Sequence, residues 1–339
     1  FSWIYLYPTD LVSFSKSILY SLGFTSNFYF HFSGLEYGSP EGLLKPFLHT
    51  WSLSVEEQYY ILFPIGLVLV FKFLRKHLLY FFLICFFISL LLADWGSKNY
   101  PSATFYFLHT RIWELILGSL LAYYEIKLGH RGQNKILCQI FPILGLTLIV
   151  YSFFSFDGKI FHPSFYTLIP AIGVSLILWF SYEDNFILKI LSYKVFVKIG
   201  LISYSLYLWH YPIFSFANHL EIFFNNNLEK FLLILVTFIL SIFTYYFIEQ
   251  PARKKVSLKI IISSLTIIFF IIATYSVSVI TMEGFTNRLK VKNYQKKHTF
   301  LYLEQDNKAC FGRICNFGSK EQKIILLGDS HLGSLAYDL

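Results

Sequence analysis

The sequence predicts an all-α polytopic membrane protein, with about eight full spans and the tail of an earlier one, followed by the beginning of an α/β domain. Hydrophobic residues make up 55% of the 339 residues and charged residues only 14%. A soluble domain keeps about 25% charged residues, so we expect lipid to solvate most of this chain. The apolar residues also fall into runs of the length, about 20 residues, that crosses a bilayer.

The predicted spans follow one another with short polar connections. They cover residues 53–74, 77–93, 105–124, 136–153, 165–182, 195–217, 228–248 and 258–282. Residues 1–7 are interpreted as the end of an earlier span, and residues 10–30 as an interfacial helix and loop.

Basic residues mark alternate loops and so predict the orientation. They cluster around residues 75–77, 127–135, 189–198 and 253–258. The loops around 94–104, 154–164 and 218–227 carry few of them. Since Lys and Arg accumulate on the cytoplasmic side, segments 49–58 and 109–114 and everything after Met282 are expected outside. The net charge of +8 therefore indicates orientation, and no nucleic-acid partner is expected.

The composition changes from apolar to polar at Glu283. We predict a membrane domain over residues 1–282, an extracytoplasmic linker over 283–322 and the start of an α/β domain over 323–339. Cys310 and Cys315 lie close together in the linker, where an oxidising compartment favours a disulfide.

The first candidate site is the run His49-Thr-Trp-Ser-Leu-Ser-Val-Glu-Glu-Gln58 at the mouth of a span. Ionisable residues at a membrane edge usually line polar cavities or act in chemistry. Ser54 with Glu57 also fits a capping box, which leaves Glu56 as the better candidate for a cavity. His49 and Trp51 fit either a substrate site or an ordinary interfacial position.

The second candidate site opens the third predicted span at the same outer face. Arg111 and Glu114 are three residues apart, so an ion pair within one helix is the simplest interpretation. Arg111 could equally pair with Glu56 or Glu57, bind a phosphate group or stabilise a developing oxyanion.

The third candidate site lies in the sixth predicted span, where Ser203, Tyr207 and His210 share one helical face. A structural hydrogen bond beside a proline kink at Pro212 explains His210 as well as a substrate contact does. Glu249, near the basic end of the seventh span, is interpreted as part of a membrane anchor.

The fourth candidate is Ser330 in Gly328-Asp-Ser-His331, which follows the apolar run Lys323 to Leu327. A serine at a strand-to-helix turn meets backbone amides that activate a nucleophile and bind an oxyanion. The alternative is that Asp329 and Ser330 only cap the helix.

Taken together, these motifs resemble membrane acyltransferase family 3, the bacterial O-acetyltransferases, with the first block of a C-terminal SGNH domain. The runs that carry the resemblance are His49 to Tyr60, Arg111 to Gly118, Ile202 to Pro212, Phe247 to Pro251 and Gly328 to His331.

The resemblance implies an enzyme in the bacterial cytoplasmic membrane that takes acetyl from acetyl-CoA and places it on a surface polysaccharide outside. It implies catalytic roles for Ser330, Glu56 and Glu57. It implies substrate contacts by His49, Trp51, Arg111, Glu114, Ser203, Tyr207 and His210, with no bound cofactor and no metal. The family's essential first span would precede Phe1, and the rest of the SGNH site would follow Leu339. This stretch alone is therefore expected to be inactive.

Two other classes of protein fit parts of the pattern. A transporter or flippase for a glycan or lipid-linked substrate would also carry intramembrane charges, but it has no use for the turn at Ser330. A membrane anchor for an outer esterase would not need Glu56, Glu57 or Arg111 inside the spans.

Overall fold

The computed structural model describes residues 1–34, 39–132, 134–157, 160–181, 185–220, 227–254 and 256–288, together with the two-residue strands Glu304–Gln305 and Lys308–Ala309, which pair antiparallel. The predicted Cys310–Cys315 bridge and the Gly328–His331 turn, with Ser330, lie outside the described residues.

The described chain is almost entirely helical, as predicted. The short helices are α1 (Ser2–Tyr5), α3 (Ser26–Phe32), α4 (Pro40–Leu43), α7 (Pro101–Tyr106), α11 (Phe186–Leu191) and α14 (Gln250–Lys254). The longer helices are α2 (Pro8–Leu22), α5 (Thr50–Leu74), α6 (Leu78–Asn99), α8 (Ile112–Leu128), α9 (Lys135–Ser155), α10 (Leu168–Phe180), α12 (Lys194–His219), α13 (Asn227–Thr244) and α15 (Leu258–Thr281). A π-helix, Tyr245–Glu249, joins α13 to α14.

Five helical segments of the described chain are long and apolar enough to cross a membrane. They are Thr50–Phe73, Arg75–Asn99, Lys135–Ser155, Asn227–Arg253 and Leu258–Thr281. Helices α8 and α10 have only 17 and 13 residues, and α12, with 26 residues, is too polar to meet the same composition. The predicted helix over 105–124 is wrong in its first part, because α8 begins only at Ile112.

The capping box predicted at Ser54 and Glu57 is also wrong. Helix α5 begins at Thr50, so both residues lie inside it. The Ser54 hydroxyl is instead 2.7 Å from the Ser26 hydroxyl and accepts a hydrogen bond from the Ser26 amide at 3.2 Å. Ser54 therefore ties α5 to α3 in a buried position, where hydrogen bonds between polar groups replace water.

The backbones of helices α9 and α10 are in direct contact at one glycine of each helix. A Cβ atom at Gly145 would lie 2.5 Å from the Gly173 carbonyl oxygen, and one at Gly173 would lie 2.7 Å from the Gly145 oxygen. Small residues allow membrane helices to approach this closely. The pair fixes the two helices that carry the intervening 156–164 segment.

Candidate active site

His49 lies at the start of α5, buried against the C-terminal half of α12. Its ring stacks on the Tyr211 ring at 5.4 Å and lies 5.6 Å from the His210 ring, measured between centroids. The Tyr207 hydroxyl donates to the His49 carbonyl at 2.6 Å and is 2.5 Å from the Ser52 hydroxyl. Two of the three residues predicted on one face of α12, Tyr207 and His210, thus contact the first candidate site, the run that begins at His49.

Burial keeps His49 neutral. Burial, together with the neighbouring His210, lowers the pKa of the imidazole to about 3. A neutral imidazole has a nitrogen lone pair that accepts a hydrogen bond from a hydroxyl group. His49 is buried within the protein, with only 2% of the residue exposed.

Arg111 is a buried cation between two aromatic rings. Its guanidinium carbon lies 5.2 Å from the centre of the Trp51 ring and 4.9 Å from that of Phe105. Nε donates to the Phe105 carbonyl at 3.2 Å, and Nη1 is 3.1 Å from Glu114 Oε1 and 3.2 Å from His162 Nε2. The ion pair with Glu114 is the one that the spacing predicts, so Arg111 does not pair with Glu56 or Glu57.

One nitrogen of the Arg111 guanidinium is left unmatched. Nη2 is buried and has no hydrogen-bond partner within the described chain. An unmatched buried donor costs about 1–3 kcal/mol, more for a charged group. An oxygen atom of a bound substrate would satisfy it, and an oxyanion would do so best.

His162 completes this environment and was not predicted from the sequence. It belongs to the segment between α9 and α10, where it accepts from Arg111. Burial lowers its pKa to about 4, and the charge on Arg111 contributes in the same direction. The neutral His162 ring therefore accepts a hydrogen bond from Arg111 and does not place a second positive charge beside it. The only sequence signal was a histidine before Pro163 in an outer loop.

The two groups form one site, which we call the outer cluster: His49, Trp51, Arg111, Glu114, His162, Tyr207 and His210. Trp51 contacts both Arg111 and Tyr106, and His49, two residues earlier, stacks on Tyr211. Tyr106 and Tyr211 belong to one buried aromatic core, which connects the two groups. The contributing segments are the start of α5, the stretch from α7 to α8, the segment after α9 and the outer half of α12. All of them belong to the ends predicted to lie outside.

The other predicted residues lie deeper. Glu56 and Glu57 are nearly two turns into α5, and both carboxylates act electrostatically on the Tyr204 hydroxyl. Ser203 donates to the Gly200 carbonyl at 2.8 Å and is separate from the outer cluster. Among the described residues, no group of three or more His, Cys, Asp or Glu side chains is arranged to hold a metal ion.

Comparison with known proteins identifies the family. A sequence profile described as an acyltransferase domain matches residues 1–283, nearly the whole described chain. The chain belongs to acyltransferase family 3. No solved structure matches.

Curated relatives in this family include named O-acetyltransferases. The chain is 29% identical over 272 residues to peptidoglycan O-acetyltransferase OatA of Listeria monocytogenes, covering 74% of this chain and 42% of that protein. It is 28% identical over 259 residues to O-acetyltransferase OatA of Staphylococcus aureus, covering 73% and 43%. The chain thus spans less than half the length of the relatives that it matches.

Proposed function

We propose that the chain is the membrane part of an O-acyltransferase that moves acetyl from acetyl-CoA to hydroxyl groups of an exported cell-surface polysaccharide. Family membership and the O-acetyltransferase names of the relatives support the reaction class. The observation that carries the proposal is the buried Arg111, whose unpaired Nη2 belongs to the same cluster as the neutral His49.

In our proposal the outer cluster supplies a base and an oxyanion donor for acyl transfer to a hydroxyl. The hydroxyl oxygen attacks the acyl carbonyl carbon while its proton passes to a base, and the carbonyl oxygen becomes an oxyanion. In our proposal, neutral His49 takes the proton and Arg111 Nη2 donates to the oxyanion. When the carbonyl re-forms, the bond to the leaving group breaks and the leaving group takes the proton from His49.

The rings around Arg111 prepare it for this role. Trp51 and Phe105 contact its guanidinium, while Glu114, His162 and the Phe105 carbonyl occupy the other nitrogens. The free N–H group is therefore oriented before substrate arrives, so no reorganisation is needed during the reaction. Tyr207 and His210 fix the backbone and the ring of His49.

The wider arrangement follows the predicted domains. In this proposal the acetyl thioester reaches the outer cluster through residues 1–282 in the bacterial cytoplasmic membrane, with Glu56 and Glu57 on the route, and coenzyme A leaves as the free thiol when the acceptor hydroxyl takes the acetyl group. Residues 283–322 link to an extracytoplasmic domain that begins at 323–339, where Ser330 carries or transfers the acyl group. A transporter or flippase is not favoured, because the matched relatives are named as O-acetyltransferases.

Substitution of Arg111 tests the proposal. In cells that depend on the full-length protein, Arg111→Gln should lower glycan O-acetyl content by about 10²-fold or more, since loss of one oxyanion donor costs that much. The matched control is Arg131→Gln, because Arg131 is also paired with a glutamate, Glu125 at 2.9 Å, but at an exposed position. Unchanged acetylation in Arg111→Gln, at equal protein level, would reject the proposed site.

A further inference from the structure

Helix α6 contributes no side chain to the outer cluster, yet it contacts the backbone on both sides of Arg111. The Ser89 hydroxyl of α6 donates to the His109 carbonyl at 2.7 Å and accepts a hydrogen bond from the Trp113 amide at 3.2 Å. Only 2% of Ser89 is exposed. One buried hydroxyl therefore holds the chain two residues before and two residues after the arginine, and its single donor is used.

Ser89 replaces a cap that α8 does not supply itself. Arg111 occupies the N-cap position of α8 and makes no side-chain capping hydrogen bond. The first N–H groups of a helix have no partners within the helix. A serine, threonine or aspartate at the N-cap normally accepts from the amide of the second or third helical residue. Ser89 accepts from the second, Trp113. A neighbouring helix thus performs the capping and leaves the Arg111 side chain to the outer cluster.

Apolar packing keeps α6 in register with the start of α8. Trp113 is fully buried and belongs to one apolar cluster with Leu90 and Ala93 of α6. Its ring also lies 6.1 Å from the Phe86 ring. Phe86 and Ala93 lie about one helical turn on either side of Ser89. Because close-packed interiors transmit displacements, the position of α6 determines where α8 begins.

The same helix holds the turn that carries His162. Asp94 Oδ1 accepts a hydrogen bond from the Phe165 amide at 3.3 Å, and only 16% of the Asp94 side chain is exposed. The Ser164 hydroxyl donates to the Phe161 carbonyl at 2.6 Å and closes the turn around His162. Helix α6 therefore contacts both segments that meet in the outer cluster.

We propose that Ser89 and Asp94 are positioning residues for acyl transfer: Ser89 fixes the backbone that directs Arg111 Nη2 at the oxyanion, and Asp94 fixes His162 against the same guanidinium. This assignment rests on the proposed function and adds which residues outside the site determine its geometry. Each of the two acts through the backbone of the segment that it holds. Such support matters, because a misplacement of about 1 Å costs up to about 100-fold in rate.

Removal of the Ser89 hydroxyl tests the assignment. With the full-length protein in proteoliposomes, Ser89→Ala should slow acetyl transfer from acetyl-labelled acetyl-CoA to a glycan acceptor by about tenfold or more. The matched control is Ser241→Ala on α13, because Ser241 is 0% exposed and donates to the Thr237 carbonyl of its own helix at 2.6 Å. That bond joins no second segment, so the control should keep the wild-type rate. A wild-type rate in Ser89→Ala would overturn the assignment.

A double-mutant cycle separates positioning from general damage to the fold. If Ser89 acts through Arg111, Ser89→Ala should cost less than about twofold in an Arg111→Gln background, where the oxyanion donor is already absent. An equal loss in both backgrounds would show that Ser89 only stabilises the fold, and positioning would be rejected. A wild-type rate in Arg111→Gln alone would instead reject the site in the proposed function, so the two failures are distinguishable.

A conservative substitution decides the case if Arg111→Gln leaves no measurable rate. Ser89→Thr keeps the hydroxyl, and thermal unfolding in detergent gives a temperature at which this variant and Ser89→Ala are both folded. At that temperature Ser89→Thr should recover most of the wild-type rate and Ser89→Ala should not. Equal rates for the two folded variants would contradict positioning by the hydroxyl.

Asp94 is tested by a substitution that keeps its hydrogen-bond acceptor. Asp94→Asn retains an oxygen for the Phe165 amide, whereas Asp94→Leu has none. Lys98→Met removes only the ion pair, in which Lys98 Nζ lies 2.6 Å from Asp94 Oδ2. We expect nearly the wild-type rate in Asp94→Asn and Lys98→Met, and a loss of about tenfold in Asp94→Leu. Full activity in Asp94→Leu would overturn the role of Asp94.

Discussion

At the scale of single residues, the candidate site depends on which groups are charged. Arg111 remains a buried cation and is satisfied by Glu114, a carbonyl and a neutral imidazole. A second cation beside it would be strongly unfavourable in a low-dielectric environment. The low pKa of His162, about 4, is therefore part of what allows the arginine to be buried.

This balance predicts how stability depends on pH. His162 titrates at about 4 when folded and at 6.5 in its reference state, so the unfolded chain binds more protons between these values. Its contribution is complete above pH 6.5 and is lost as pH falls from 6.5 to 4. His162→Gln takes up no proton, so its Tm in detergent should fall less than that of wild type over this range.

The control for this experiment is His130→Gln, since His130 is exposed and contacts only the neighbouring Arg131 carbonyl among the described residues. Its Tm should follow that of wild type at every pH. Parallel curves for wild type and His162→Gln would show that His162 is not buried in the neutral form.

At the scale of elements, long apolar runs could be predicted and irregular segments could not. Helices α5 and α15 were predicted at 53–74 and 258–282 and end within a few residues of those bounds. Residues 105–111 were assigned to a span, but hydrogen bonds from Thr110 to Thr104 and from Arg111 to Phe105 fold them back instead. Those bonds join side chains to the backbone, a kind of contact that hydrophobic periodicity does not report.

The close contact of α9 and α10 gives a prediction at this scale. Gly145→Ala should destabilise the protein by about 1–3 kcal/mol, because the new Cβ atom would lie 2.5 Å from the Gly173 oxygen and force the helices apart. Thermal unfolding in detergent measures this. Gly66→Ala is the control, since nothing lies within 4 Å of its Cβ position. Equal Tm values for the two variants would contradict the backbone contact.

At the scale of the whole molecule, the sequence predicted the helical membrane architecture and most residues of the outer cluster, but not how they are grouped. The motifs around His49, Arg111 and His210 converge as their common outer position predicts. Ser203 and the Glu56/Glu57 pair, which were expected at the same site, lie deeper near Tyr204. The spacing on α12 places Ser203 and His210 on one face, but His210 contacts His49 whereas Ser203 bonds only to the Gly200 carbonyl of its own helix.

The central claim is that acyl groups pass from a cytoplasmic donor to an outer acceptor through the site at Arg111. It is tested most directly with the full-length protein in sided proteoliposomes that hold acetyl-labelled acetyl-CoA inside and glycan acceptor outside. We expect label on the external glycan with wild type and with Arg131→Lys. Arg111→Lys, which keeps the charge but loses the planar fork, should transfer little. Equal transfer by Arg111→Lys and wild type, or passage of glycan across the membrane without acetylation, would contradict the account.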